Sequence, residues 1–347
     1  MLNKLSLFKK RPVETNGQEG EVFAVEALNL TKMFQRRWIA VNSINFRIPQ
    51  GSIFGLVGPN GAGKSTTLRL IMGLQHPTAG EVKVFGQRMN MYTGHLRRRI
   101  GYLPQGEHYP REMTPIAYLE LVGKLRGVPR KECARRLSSL LHAVDLLGAA
   151  STRIGKLSAG MTTRMAIAAS MVNDPDLLMW DEPTAGLDPT GRKYTLDLIK
   201  ELKTQGKTMI VSTHLLPDAD QVCDQIGVLN EGKLVLDDLL SALTGSDKYT
   251  LDIKIKGDGD RFMSVLQKQG FNVTREENLF KVERKGDTLD IIIRLCAEND
   301  IQLRYANQSF RSLEDIFIDI ISASSGERDG KGQKISSPGA GGGSGAN

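Results

Sequence analysis

The run Gly58-Pro59-Asn60-Gly61-Ala62-Gly63-Lys64-Ser65-Thr66 has the spacing G-x-x-x-x-G-K-[ST]. Its flanks decide how it is read. The preceding Gly51-Ser52-Ile53-Phe54-Gly55-Leu56-Val57 ends in an apolar stretch suited to a buried strand. The following Thr67-Leu68-Arg69-Leu70-Ile71-Met72-Gly73-Leu74 has helical spacing and ends near a glycine. A strand, a glycine loop and a helix in that order form a phosphate-binding loop. A helix start leaves backbone N–H groups unpaired and carries partial positive charge, so it attracts phosphate. Glycines let the backbone curl until those N–H groups converge. Lys64 then reaches the β and γ phosphates, and the Ser65 hydroxyl can ligate Mg²⁺. The candidate nucleotide-binding residues of the loop are Gly58, Asn60, Gly61, Gly63, Lys64, Ser65 and Thr66. A glycine-rich turn with an incidental lysine is the competing reading, and the strand and helix on either side argue against it.

Around this loop lie 347 residues, 40% apolar and 24% charged, enough for two globular domains. No window approaches the roughly 20 apolar residues of a membrane span. Met1 to Arg11 is basic, with no long apolar run or small-residue cleavage site, which reads against a secretory signal. Cys133, Cys223 and Cys296 are far apart and read as core residues of a reduced compartment, the cytoplasm. The formal charge of +7 falls mainly before residue 246 and includes Arg97-Arg98-Arg99. Such a run is ordinarily a solvated face, with a weaker reading as a contact for anionic lipid or another polyanion.

Strand and helix patterns alternate along the chain, which implies an α/β fold with a mainly parallel sheet covered on both faces. Val22 to Leu30 and Val41 to Ile48 alternate as an antiparallel edge sheet, with Lys32-Met33-Phe34-Gln35 as an exposed connection. Thr114 and Pro115 start a helical region that breaks near Gly127-Val128-Pro129. Another helix starts at Leu157-Ser158-Ala159-Gly160 and runs to Asn173. The expected organisation is a flexible lead (1–20), a main domain (21–245), an accessory domain (246–322) and a disordered Gly/Ser-rich tail (323–347). The accessory domain reads β-α-β-β-α-β, a ferredoxin-like α+β order, closed by an amphipathic helix at Ser312–Ile321.

The second chemical signal is Asp181-Glu182, at the end of the apolar strand Asp176–Trp180. That position brings Asp181 beside the phosphate loop to hold Mg²⁺, and Glu182 can polarise the water that attacks the γ-phosphate. His214 follows an apolar strand, at the carboxyl end where open α/β sheets place their ligands.

Taken with these residues, residues 21–240 closely resemble the nucleotide-binding subunit of ATP-binding cassette transporters. The family motifs stand in order: Gly58–Thr66, Gln105, Leu157-Ser158-Ala159-Gly160-Met161, Leu177–Glu182, Gly186-Leu187-Asp188-Pro189 and His214. The resemblance implies a P-loop cassette with a helical subdomain, binding ATP and Mg²⁺ and hydrolysing the ATP. It casts Glu182, His214, Gln105 and Lys64 as catalytic, and Ser65, Gln105 and Asp181 as metal-binding. Phe34 takes the place of an adenine-stacking aromatic, commonly tyrosine. The family also implies a head-to-tail homodimer or heterodimer in which Ser158, Gly160 and Asp188 meet ATP held by the partner. A separate transmembrane permease would anchor the dimer at the cytoplasmic face, and no nucleic acid is implied. Ala159 and Met161 depart from the usual Leu-Ser-Gly-Gly-Gln signature, while Ser158 and Gly160 remain. Residues 246–322 look like the C-terminal extension of drug, lipid and polysaccharide exporters, and Ser312-Leu313-Glu314-Asp315-Ile316-Phe317 matches the motif ending those chains. An ATP-gated binding module with weak hydrolysis and a soluble non-transport cassette ATPase are the competing readings.

Overall fold

The elements follow one another with the alternation that the apolar pattern implies. The computed structural model describes residues 23–35, 37–106, 109–240, 249–283 and 288–310, with Leu313 and Phe317. The expected lead (1–20) and tail (323–347) lie outside the described residues, as does the boundary at 245 and all of the closing helix except Leu313 and Phe317.

The chain opens with β1 (Phe23–Phe34), β2 (Trp38–Pro49), β3 (Ile53–Val57), α1 (Lys64–Ile71), β4 (Ala79–Val84) and β5 (Gln87–Arg88). Next come α2 (Gly94–Arg98), β6 (Ile100–Leu103), α3 (Pro115–Leu125), α4 (Arg130–Ala143), α5 (Ala159–Ser170) and β7 (Leu177–Asp181). The main domain ends with α6 (Pro189–Thr204), β8 (Thr208–Thr213), α7 (Leu216–Val222), β9 (Gln225–Asn230) and β10 (Lys233–Leu239).

A six-stranded sheet in the order β10-β9-β3-β8-β7-β6 forms the centre. Its strands are parallel except for the antiparallel edge strand β10. Every residue of β3, β7 and β8 is buried, which is why these strands read as continuous apolar runs. Alternate side chains supply two cores. Ile53, Val57, Trp180 and Met209 pack toward one face with residues of α3 to α7. Phe54, Leu56, Met179 and Ile210 pack toward the other, with α1 and the antiparallel sheet β2-β1-β4-β5.

Local chemistry sets the helix starts. Thr114, Ser158 and Asp188 each accept a hydrogen bond from a backbone N–H one turn on, at Ala117, Met161 and Gly191 respectively. Pro115 and Pro189 occupy the first turns of α3 and α6, where a missing N–H costs nothing. The connection expected at Lys32–Gln35 proves to be mostly strand, because β1 runs on to Phe34 and pairs Phe34 with Trp38. The alternation lapses there because those positions are half-exposed, so only long-range pairing reveals the extension.

The C-terminal part contains β11 (Tyr249–Lys256), α8 (Gly259–Lys268), β12 (Val273–Glu276), β13 (Leu279–Glu283), α9 (Thr288–Glu298) and β14 (Gln302–Phe310). Its antiparallel sheet has the order β12-β13-β11-β14 and encloses a third core around Phe262, Phe280 and Ile292. Leu313, only 4% exposed, belongs instead to the main-domain core, and Phe317 packs against the same cluster. Leu313 and Phe317, which follow the small sheet in the chain, therefore pack on the main domain. All three cysteines are buried, and burial pushes each thiol above its ordinary range.

Candidate nucleotide site

Gly63 caps α1 with φ 108°, and Lys64 is the first helical residue. A Cβ at Gly63 would lie 2.3 Å from the Ala40 carbonyl oxygen, and one at Gly58 would lie 2.2 Å from that of Leu229. Neither carbonyl belongs to a flexible side chain, so β2 and β9 press on the loop too closely for any other residue. The spacing in the sequence thus has a tertiary cause as well as a local one.

Lys64 is 6% exposed, and its ammonium donates to the carbonyl oxygens of Gly58 at 2.7 Å and Pro59 at 3.2 Å. It also pairs with Glu182 Oε1 at 3.2 Å. The other oxygen, Glu182 Oε2, accepts from His214 Nδ1 at 2.8 Å. A carboxylate only accepts, so the imidazole carries its proton on Nδ1. Glu182 and His214 directly follow the carboxyl ends of β7 and β8, and Lys64 opens the helix after the loop that leaves the carboxyl end of β3, the three strands being neighbours in the parallel sheet. The parallel sheet therefore brings the loop lysine, the acidic pair and the histidine together at the edge where such sheets bind ligands.

Ser212, fully buried on β8, holds both acidic residues. Its hydroxyl donates to Asp181 Oδ1 and accepts from the Glu182 N–H at 3.1 Å, while the Ser212 carbonyl oxygen accepts from the same N–H at 3.1 Å. Glu182 sits at φ 54°, a left-handed conformation that costs a non-glycine residue on the order of 1 kcal/mol or more. Those two bonds oppose its relaxation. Ser212→Ala removes a donor from a buried carboxylate, so it is expected to cost about 1–3 kcal/mol of stability, read as a lower urea midpoint at unchanged m-value. An unchanged midpoint would mean that the hydroxyl does not hold Asp181.

A cavity of about 120 Å³ over the loop is lined by Trp38, Asn60, Gly61, Gly63, Lys64, Ser65, Thr66, Gln105 and Glu182. Gln105 is exposed and reaches both this cavity and a larger one of about 580 Å³ behind Asp181 and Glu182. Phe34 does not line the small cavity. It stacks on Trp38 at 5.6 Å between ring centroids, with Lys32 Nζ 5.2 Å from its own ring. Trp38 is the residue that sequence reasoning did not select, because two aromatics flank one turn and spacing alone cannot say which faces the loop. Trp38→Ala is expected to weaken ATP by about 1–3 kcal/mol, the range for a base–aromatic stack, with a smaller loss for Phe34→Ala. Fluorescence titration checks the order of the two losses, and the reverse order would make Phe34 the platform.

Ser158, Gly160 and Asp188 lie at the starts of α5 and α6, outside the cavity over their own phosphate loop. Ser158 and Asp188 are exposed.

The ABC transporter family matches residues 41–185. A protein named Nod factor export ATP-binding protein I, from Burkholderia lata, is 34% identical over 226 residues, spanning 65% of this chain and 74% of that one. The chain belongs to the ATP-binding subunits of ABC transporters. The uncharacterized ABC transporter ATP-binding protein YxlF of Bacillus subtilis is 32% identical over 292 residues, 82% of this chain and 95% of its own length. A solved ATP-binding subunit of an ABC transporter superposes with a TM-score of 0.59 at 30% identity, covering 63% of this chain and 91% of that one. A dimeric cassette solved in a post-hydrolysis state with ADP and Pi superposes at 0.57 and 29% identity, covering 62% and 98%. This ABC subunit is an ATP hydrolase with the P-loop α/β cassette fold that the sequence implies.

Proposed function

We propose that this ABC ATPase works as one half of a head-to-tail cassette pair that drives a separate membrane permease in the export direction. The observation that carries the proposal is the Lys64–Glu182–His214 chain, gathered beyond the carboxyl ends of three adjacent parallel strands. The export direction is supported by the relatives named for Nod factor export, and pairing by the dimeric neighbour. Among the described residues no helix is long and apolar enough to cross a membrane, and in this reading the membrane path belongs to another polypeptide.

The residues present fit Mg²⁺. Asp181 is 2% exposed, and its Oδ2 is buried without a hydrogen-bond partner, a group that a cation beside the loop would satisfy. Ser65, Gln105 and Asp181 would hold the ion, which would neutralise charge on the β and γ phosphates when bound. Lys64 is shared between the loop carbonyls and Glu182, and a γ-phosphate competes for the same ammonium. Capture of Lys64 by phosphate releases Glu182 Oε1 as a proton acceptor. Glu182 then takes a proton from the attacking water, while the His214 Nδ1–H keeps Oε2 oriented. The bond from the γ-phosphorus to the bridging oxygen breaks, leaving ADP and phosphate. Ser158 and Gly160 present a helix start to the partner's γ-phosphate, and Asp188 lies beside them in the pair.

An affinity-tagged chain purified from detergent-solubilised host membranes tests the transporter reading. An integral membrane protein is expected to copurify. Recovery only as free subunits with full ATPase activity would sink it.

A further inference from the structure

Asp218 is a carboxylate that the hydrolytic chain does not use. It lies in α7, four residues after His214, and is 2% exposed. Its Oδ2 accepts from the Thr184 hydroxyl at 2.6 Å, and its Oδ1 accepts from Arg192 Nε at 2.6 Å. Thr184 is itself 4% exposed and stands two residues after Glu182. Arg192 is in the first turn of α6, the helix capped by Asp188. One buried carboxylate therefore joins three segments. They are the chain leaving Glu182, the helix entered through Asp188, and the helix entered through His214.

Burying a carboxylate is expensive unless its oxygens are satisfied, and satisfaction by a hydroxyl and a guanidinium gives the group a fixed place rather than a gain in stability. The fixed place is what matters here. Glu182 and His214 leave different strands, β7 and β8, and their side chains must meet at 2.8 Å. The backbones of the two strand ends are joined through Ser212, but nothing in that bond sets the direction in which the chain passes through His214 into α7. The Thr184–Asp218 bond ties the segment beyond Glu182 to the helix beyond His214, closing a loop of contacts around the catalytic pair. Arg192 adds the start of α6 to the same anchor.

We infer that Asp218, held by Thr184 and Arg192, is a positioning residue that sets His214 on Glu182. The inference rests on the catalytic reading of Glu182 and His214 given above. The residue touches no reacting atom. It acts by holding a geometry in which displacements near 1 Å already cost catalysis heavily.

The test uses the full chain, with ATPase rates taken per ATP-binding-competent subunit so that loss of folded protein alone leaves kcat unchanged. Thr184→Val keeps the shape and removes the hydroxyl. It is expected to lower kcat on the order of 10-fold, with KM for ATP held within about twofold because Lys64 and Ser65 are untouched. Thr184→Ser restores the hydroxyl and should restore most of the rate. Asp218→Asn should mimic Thr184→Val, and adding it to His214→Ala should slow that variant no further, since both changes act on one contact. If Asp218→Asn does not fold, the Thr184→Val and Thr184→Ser pair decides by itself. Parent kcat in Thr184→Val with His214→Ala impaired overturns the inference alone. Full multiplicative losses in the Asp218→Asn, His214→Ala double variant also overturn it, because Asp218 would then act independently of His214. Parent kcat in His214→Ala overturns both the inference and the catalytic reading beneath it.

Discussion

Glu182→Gln is expected to lower ATP hydrolysis by about 10²-fold or more, the range for loss of a positioned general base, while ATP binding survives. The amide keeps the size of the side chain and tolerates the same φ of 54°. It cannot accept the proton of the attacking water. The substitution is not silent in the ground state. One amide oxygen must choose between His214 Nδ1 and Lys64 Nζ, which the carboxylate serves through separate oxygens. With Lys64 freed from its anionic partner, phosphate meets less competition for the ammonium, so affinity for ATP is expected to rise or stay level rather than fall. Unhydrolysed ATP should then hold two cassettes together, visible by light scattering as an ATP-dependent dimer. Ser158→Arg in the same background should abolish that dimer, because Ser158 is exposed at the start of α5 and would meet the partner there. Hydrolysis at the parent rate would move the base elsewhere, with His214 the first alternative.

Lys64→Ala acts at the opposite end of the same chain of charges. Truncating one partner of a buried, hydrogen-bonded charge contact costs about 2–5 kcal/mol, so ATP affinity should fall by about 30-fold to several thousand-fold. No ATP-dependent dimer should form at concentrations that saturate the parent. The nucleotide-free protein should suffer as well, because Glu182, 6% exposed, is left without its cation. Pairing the two changes distinguishes these effects. Glu182→Gln added to Lys64→Ala removes the stranded charge and should recover melting temperature without recovering ATP affinity. Recovery of neither would mean that the lysine's contacts with Gly58 and Pro59, rather than Glu182, dominate the loop's stability.

The accessory part of the chain shows where sequence reasoning stops. Its order of strands and helices is visible from alternation alone, and the folded chain has that order. Residues 246–322 read as one accessory domain; its small sheet encloses a core of its own, while Leu313 is buried among residues of the main domain. Apolar spacing says that a residue will be covered but not by what. A leucine at position 313 reads the same whichever core receives it.

Residues 58–66 by themselves determined that this protein binds a phosphorylated ligand, because a glycine loop between strand and helix needs only local backbone geometry to make an anion site. Asp181, Glu182 and His214 were legible for a related reason: parallel strands deliver their carboxyl ends to one edge, so strand-end position already predicts assembly. Tertiary structure alone decided which partners hold these groups. Ser212 reads as a polar residue near the end of an apolar strand, Asp218 as an acidic residue in a short helix, and Trp38 as one of two aromatics beside a turn. Each acquires its place between segments that the sequence keeps apart: Asp181 bonds Ser212, Thr184 bonds Asp218, and Trp38 faces the phosphate loop across one cavity. Local pattern specifies which backbone ends meet, because that depends on hydrogen-bonded periodicity. Which side chains then touch depends on packing between distant segments, and periodicity carries no record of that.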